Sequence, residues 1–346
     1  SQQEYQIDYT IYSDSPYGDA EPMDVLRTEI MAGQSPDLFA FYSDGNQAPP
    51  LAPRAVCADL RELLPDVTED SLLPGLFDLL TQDGALYVLP LTVRVDTLIM
   101  PSNLIDSPGV TLEDLETARE KMPEDWVPVD SWNTPGNLFG LTAAFCIGRF
   151  VDRETGTCRF ETQEFIDILD WCKNWGGDGS MPEAPEKTLM KLGWISSLSW
   201  LASREDIAKE WFDGAGYTYA GYPVGSGGSA YLVLTSLGVS TSCQNLAGGK
   251  AFLAYCFSGK QESGLPANME VLREELAQYK LGNRTNWYGE PETISEADEE
   301  KFMELLGSVT VLEGMDKSLE DILSEEANAY FAGAATAEQT ARTIQS

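Results

Sequence analysis

The sequence predicts an α/β protein whose strands form a parallel or mixed sheet. Strand-like and helix-like segments alternate over the first two thirds of the chain, while the last third is mainly helical. The chain has 346 residues, enough for two lobes that each enclose a core. No repeat or low-complexity linker separates these segments, so the lobes are expected to be joined by several strands.

Residues 29–41 are the most informative segment. They predict the end of a helix, a stop at Gly33 in the left-handed conformation, a turn at Pro36 and then a strand. The strand, residues 38–41, is an uninterrupted apolar run, as expected in a parallel sheet covered on both faces. The polar loop that follows is a candidate binding surface, because ligands of open α/β sheets bind beyond the carboxyl ends of strands.

The remaining elements follow from alternation, helical stripes and capping boxes. Strands are predicted at residues 5–11, 83–90, 96–100 and 231–240. Helices are predicted at residues 23–31, 165–172, 247–257 and 271–279, and beginning near Thr111, Ser295 and Ser318.

Composition excludes several functional classes. There are 56 acidic and 22 basic residues, and the net charge of -34 argues against nucleic acid or anionic lipid as a partner. The sequence contains no histidine, which excludes Ser-His-Asp and Cys-His nucleophiles and removes the commonest ligand of catalytic zinc. Catalysis by Asp or Glu carboxylates is still compatible with this composition. No metal or cofactor is expected.

The 6 cysteines have no CxxC spacing and mostly occupy apolar contexts, which favours buried free thiols. A Cys146–Cys158 disulfide stays open as an alternative in an oxidising compartment. No apolar run reaches the roughly 18 residues of a membrane span, and no signal peptide opens the sequence.

Five segments resemble the extracellular solute-binding proteins of sugar-type ABC importers, the maltose-binding-protein-like group (family 1). These segments are Glu29-Ile-Met-Ala-Gly-Gln-Ser-Pro-Asp37, Asp83-Gly-Ala-Leu-Tyr-Val-Leu-Pro90, Thr111-Leu-Glu-Asp-Leu115, residues 237–253, and residues 325–346 beginning Glu-Glu-Ala-Asn-Ala-Tyr-Phe-Ala-Gly. Each segment alone is loose, and their order along the whole chain makes the combination specific.

The resemblance implies a two-lobe, periplasmic-binding-protein-like fold of type II, with hinge strands between the lobes. We expect lobe 1 to comprise residues 1–100 and 232–285, and lobe 2 residues 101–231 and 286–346. The resemblance further implies an extracellular lipoprotein, a monomer that docks onto permease subunits. Members open with a further strand and helix before the segment matching residues 5–11 and run past the position of Ser346, so a shortened first lobe and a leader outside this chain are expected.

A carbohydrate site needs aromatic platforms beside hydrogen-bonding groups. Trp132 and Trp287 lie in polar, turn-rich contexts that suit a cleft as well as a core, and Trp194 is ambiguous. The other candidate ligand-binding residues are Tyr42, Asp44 and Asn46 after the first buried strand, Arg94 after a strand end, and Tyr222 before a glycine-rich tract. An ion pair with Asp96 or another acid is the alternative role for Arg94.

The leading hypothesis is a non-enzymatic protein that binds a carbohydrate, an oligosaccharide by expectation, between two lobes and delivers it to an importer. One alternative keeps the fold but changes the ligand to a peptide, polyamine or other cation, which the acidity permits. A second alternative is a glycosidase that uses two carboxylates.

Overall fold

The computed structural model describes residues 7–11, 22–43, 56–152, 155–202, 204–225, 227–259, 264–286, 288–314 and 317–346. The α-helices of these residues are α1 (Pro22–Met31), α2 (Leu60–Leu63), α3 (Leu76–Leu80), α4 (Leu112–Glu120), α5 (Pro135–Phe150), α6 (Gln163–Trp175), α7 (Arg204–Trp211), α8 (Leu246–Ser258), α9 (Met269–Lys280), α10 (Glu296–Gly307), α11 (Lys317–Phe331) and α12 (Ala337–Gln345). The strands are β1 (Leu38–Tyr42), β2 (Leu89–Pro101), β3 (Val127–Val129), β4 (Val151–Asp152), β5 (Thr157–Cys158), β6 (Thr188–Ile195), β7 (Tyr217–Tyr219), β8 (Ser229–Val239), β9 (Leu265–Pro266), β10 (Arg284–Thr285), β11 (Pro291–Glu292) and β12 (Val309–Leu312).

Eight strands form one mixed sheet, which confirms the predicted α/β class. The main order is β1-β8-β2-β6-β3, with β12 beside β8 and with β7 and β9 beside β2. The β3–β6 and β12–β8 pairs are parallel, and the others are antiparallel. The short pairs β4–β5 and β10–β11 stand apart from this sheet.

The longest strand, β2, joins two segments that the sequence predicted as separate strands. Its first half pairs with β8 and β9, and its second half pairs with β6 and β7. The register with β8 shifts just after Pro90, where the strand lacks a backbone donor, and the pairing then continues. All 13 residues of β2 are buried except Arg94, which is half-buried.

Helix starts agree with the predicted caps at two of three sites. The Thr111 hydroxyl caps α4 in a reciprocal box with Asp114, and Ser295 caps α10 by accepting the Asp298 amide hydrogen. Ser318 lies inside α11 rather than at its start, since this helix already includes Lys317. Gly33 has a φ of 79° and ends α1, as predicted.

Two strand predictions were wrong in detail. β1 pairs antiparallel with β8 at the sheet edge, and its burial alternates, with Phe39 and Phe41 inward and Ala40 and Tyr42 exposed. The apolar run 38–41 therefore reflects one covered face rather than two. Residues 7–11, predicted to continue a strand, are exposed and irregular.

The buried apolar side chains form two large clusters and a small one. The first packs between the sheet and helices α2, α3, α9 and α10. The second joins the buried faces of α4, α5, α6, α11 and α12 to part of the sheet, and the third lies under β1. Because the first cluster also includes Ile195, Tyr217 and Phe302, it extends beyond the range expected for lobe 1, and the lobe boundaries stay a prediction.

All 6 cysteines are free thiols. Cys57, Cys146 and Cys172 are buried, whereas the other three are half-buried. Within the described ranges, no helix combines the length and the apolar composition that crossing a bilayer requires.

Candidate functional site

A cavity of about 1070 Å³ opens where β1, β2, β6 and β8 approach the start of α5 and one face of α11. Its volume matches the upper end of known small-molecule sites, about 1,000 Å³. The lining residues are Tyr42, Ser43, Arg94, Trp132, Asn133, Thr134, Gly136, Asn137, Phe139, Gly140, Leu141, Ala144, Trp194, Ser196, Leu232, Leu234, Gly264, Glu313, Gly314, Glu320, Ser324, Ala327 and Asn328.

Four aromatic side chains line this cavity: Tyr42, Trp132, Trp194 and the buried Phe139. The two indole rings lie 6.3 Å apart between centroids and are tilted by 47°. Trp132 is 38% exposed and Tyr42 is 72% exposed, so both present ring surface to a ligand rather than to a core. Apolar ring faces of this kind suit a ligand that is itself flat and partly apolar.

The loop that carries Trp132 is held in place by hydrogen bonds from other segments. The Ser131 amide and hydroxyl both donate to the Glu186 carboxylate, at 2.7 and 2.6 Å. The Gly177 amide donates to the Asn133 carbonyl at 2.6 Å, and the Gly179 amide donates to the Ser131 carbonyl at 2.8 Å. The indole is therefore positioned before any ligand arrives, which reduces the entropy lost on binding.

Beside the aromatic rings lies a cluster of three charged groups, Arg94, Asp96 and Glu313. The Arg94 guanidinium donates two hydrogen bonds to the fully buried Asp96 carboxylate, at 2.6 and 2.5 Å. This confirms the ion pair considered as the alternative role for Arg94, and the same side chain also lines the cavity. Glu313 follows β12, and its Oε2 atom lies 3.9 Å from Arg94 Nη2.

The electrostatics of this cluster are set by burial. Burial alone would lower the pKa of Arg94, but its hydrogen bonds to Asp96 and the charges of Asp96 and Glu313 raise it above its usual value. Burial, then the charge of Asp96 and a hydrogen bond with the Asp96 side chain, raise the pKa of Glu313 well above the usual 4.5, and Arg94 offsets only part of this effect. The Glu313 carboxyl thus favours its neutral form.

Two buried polar groups of the cavity wall have no hydrogen-bond partner. They are the Glu313 Oε2 atom and both side-chain polar atoms of Asn133, a residue only 1% exposed. An unsatisfied buried polar group costs about 1–3 kcal/mol, so each is a candidate contact for a ligand.

Sequence reasoning missed Glu313, Asn133 and the polar face of α11. On that helix, Glu320, Ser324 and Asn328 recur every four residues, so they share one face and line the cavity together. This spacing was a readable signal. Nothing local marks Glu313, because only the pairing of β12 with β8 brings this residue close to Arg94 of β2.

The structure brings four predicted site residues to the cavity: Tyr42, Arg94, Trp132 and Trp194. It does not bring Tyr222 there, since that side chain is 1% exposed and stacks on Phe145 at 4.9 Å. The other predictions, Asp44, Asn46 and Trp287, lie outside the described residues. The described residues contain no acid, cysteine or histidine cluster that fits a metal ion. A ligand-binding role for each of the predicted site residues stays a prediction.

Comparison with known proteins decides the family. Residues 4–263 match the family model described as "Bacterial extracellular solute-binding protein". The chain is a bacterial extracellular solute-binding protein. The predicted resemblance is thereby confirmed. A comparison with curated proteins gave no match.

Solved structures similar to this solute-binding protein have its two-lobe fold. The sugar-binding protein MalE from Xanthomonas citri is 14% identical with a TM-score of 0.61, over 93% of this chain and 85% of that chain. An extracellular solute-binding protein of family 1 from Alicyclobacillus acidocaldarius is 14% identical with a TM-score of 0.59, over 94% and 86%. The ABC substrate-binding protein Lmo0181 from Listeria monocytogenes, in complex with cycloalternan, is 18% identical with a TM-score of 0.55, over 93% and 86%.

Proposed function

We propose that this solute-binding protein is the carbohydrate-binding component of an ABC importer. It binds an oligosaccharide in the cavity and hands it to membrane permease subunits without altering it. The observation that carries the proposal is the pair of tilted indoles, Trp132 and Trp194, beside polar groups in one large cavity. Sugar rings offer apolar faces for the indoles and hydroxyls for the polar side chains.

The names of similar proteins of known structure support the same ligand class. The Xanthomonas citri relative is called a sugar-binding protein, and the Listeria relative was solved with cycloalternan. The cavity volume of about 1070 Å³ suits several sugar units rather than one.

Two hinged lobes would close on the sugar by rotation about strands that both share. We propose lobe 1 at residues 1–100 and 232–285 and lobe 2 at the remaining residues, with crossings near Met100, Tyr231 and Thr285. β2 and β8 suit a crossing, because each runs along the sheet beside the cavity. We also propose that the mature protein is monomeric and is tethered to the cell by a lipid anchor.

The test is calorimetric titration with neutral oligosaccharides of two to seven units and several linkages. Replacing Trp132 or Trp194 by alanine should weaken binding about 10-fold or more, equivalent to about 1.4 kcal/mol, and leave the fold intact. Tyr255→Ala is the matched control, because Tyr255 is a 76% exposed aromatic that does not line the cavity. Unchanged affinity in both tryptophan variants would refute the site.

The same titrations separate binding from catalysis. Chromatography of the sugar after long incubation with the protein should recover it unchanged, since a binding component returns its ligand intact. Release of shorter products would favour the glycosidase alternative.

A further inference from the structure

We propose that the cavity selects an amino-substituted oligosaccharide, and that Glu313 accepts the charged amino group of this sugar. This inference rests on the proposed carbohydrate-binding function and names the substrate class of that site. It follows from the charge of the cavity wall, from two unsatisfied buried groups and from the adjoining indoles.

The cavity wall has more acidic than basic side chains. Among the described residues that line the cavity, Glu313 and Glu320 are acidic and Arg94 is the one basic residue. Arg94 is already bound through two hydrogen bonds to Asp96, which lies behind it. Together with Asp96, the described part of this wall has three carboxyl groups for one guanidinium. Even with Glu313 neutral, Asp96 and Glu320 outnumber Arg94, which favours a positively charged ligand and disfavours an acidic, sulfated or phosphorylated sugar.

One carboxyl oxygen of Glu313 has no hydrogen-bond partner. The Glu313 side chain is 9% exposed, and its Oε2 atom accepts no hydrogen bond. The last torsion of a glutamate side chain is soft, so either carboxyl oxygen can turn toward the cavity. An ammonium group that donates to this carboxylate would make a charge-assisted hydrogen bond, which is about twice as strong as one between neutral groups.

The two indoles and Asn133 indicate which kind of amine fits the cavity. A linear polyamine would satisfy the carboxyl groups but would leave the faces of Trp132 and Trp194 without a flat partner. The amide of Asn133, unpartnered in the same wall, offers one donor and one acceptor to a neighbouring hydroxyl or amino group. A chain of sugar rings that carries amino groups meets all three requirements at once.

A proton should leave the protein when such a sugar binds. Burial and Asp96 raise the pKa of Glu313 and favour its protonated form in the empty site, whereas a bound ammonium group would favour the carboxylate. The other titratable or charged groups that act on Glu313 are Arg94 on β2 and the fully buried Tyr222, and Glu320 on α11 lines the same cavity. Burial keeps Tyr222 neutral, so Glu313 is the group expected to release the proton.

The experiment compares two tetrasaccharides that differ at a single substituent of each ring. The β-1,4-linked glucosamine tetramer and cellotetraose are titrated in mildly acidic buffer, well below the pKa of the sugar amines, so that the amines are fully protonated before they bind. The N-acetylated tetramer is the uncharged control. We expect the amino tetramer to bind at least 10-fold tighter than cellotetraose, with a binding heat that changes between two buffers of different ionisation enthalpy.

Glu313→Gln should reduce the preference for the amino tetramer to less than 3-fold and abolish the proton release. Glu300→Gln, which removes an exposed carboxylate on α10, should change neither. Circular dichroism checks that each variant folds, and Glu313→Asp, with a retracted carboxylate, should give an intermediate preference.

Equal or tighter binding of cellotetraose would overturn the inference and leave the proposed function standing. So would an amino preference that survives in Glu313→Gln. Failure of every sugar to bind, including the neutral panel, would instead overturn the proposed function and the inference together.

Discussion

Gly177 supports the loop that carries Trp132, and its replacement by alanine tests how rigidly that loop is held. A Cβ atom at position 177 would lie 2.2 Å from the Ser131 carbonyl oxygen and 2.6 Å from its Cα atom. Both contacts are with backbone, and they fall roughly 1 Å short of ordinary separation, so the loop itself must move. This movement would lengthen the 2.6 Å hydrogen bond that the Gly177 amide donates to the Asn133 carbonyl.

Overpacking of this kind costs about 1–3 kcal/mol, and we expect Gly177→Ala to lower the free energy of unfolding in urea by that amount. Gly148→Ala is the matched control. Gly148 lies in α5, is exposed, and a Cβ atom there would have nothing within 4 Å. Since alanine is the better helix former, this control should gain about 0.5–1 kcal/mol.

The two variants make the same chemical change, so opposite signs isolate the contact with Ser131. Hydrogen exchange at the Gly177 and Gly179 amides should also accelerate in Gly177→Ala, because both donate to the displaced loop. An unfolding midpoint equal to that of the unaltered protein, with unchanged exchange at these amides, would refute the packing argument.

Three further outcomes follow from buried groups. Asp96→Asn should lower the free energy of unfolding in urea by about 3 kcal/mol, because it breaks the buried ion pair with Arg94. This is the lower end of the usual cost, since Glu313 can ionise beside Arg94 and replace part of the lost charge. A loss under about 1 kcal/mol would contradict this expectation. The pKa of Glu313 is raised on folding, so the folded state holds a proton that the unfolded state loses above pH 4.5. The free energy of unfolding of the unaltered protein, relative to that of Glu313→Gln, should therefore fall by about 1.4 kcal/mol per pH unit from pH 4.5 up to the raised pKa. If the two unfolding free energies change in parallel between pH 5, 6 and 7, the pKa of Glu313 is not raised. Burial raises the pKa of Cys57 to about 11 and that of Cys146 to about 12, so a thiol reagent at pH 8 should modify neither until urea is added, and rapid native labelling of either would count against the buried placement.

Local patterns predicted the helices better than the sheet. Each cap is encoded by two residues three positions apart, Thr111 with Asp114 and Ser295 with Asp298, and both helices begin there. The two halves of β2 were predicted as separate strands, because Pro90 and the charged pair Arg94 and Asp96 interrupt the apolar run. The fold keeps them in one strand because the charges neutralise each other and the register shifts after the proline.

The candidate site also contains residues that the local sequence predicted and residues that it missed. Trp132 was predicted from its polar, turn-rich surroundings, and Tyr42 from its position after a buried strand. Both line the cavity. Tyr222 was chosen for a nearby glycine tract, yet its ring packs on Phe145, since an aromatic residue beside a loop can still face a core. Glu313 reaches the site only through the long-range pairing of β12 with β8, which no local pattern encodes.

The strand β2 contributes side chains to both large cores, with Val93 and Val95 in the first and Leu98 and Met100 in the second. Because β2 belongs to both cores, unfolding of one core removes a strand from the other, and we expect the two to unfold together. Heating should consequently give a single endotherm with matching calorimetric and van't Hoff enthalpies, and fragments cut within β2 should not fold alone.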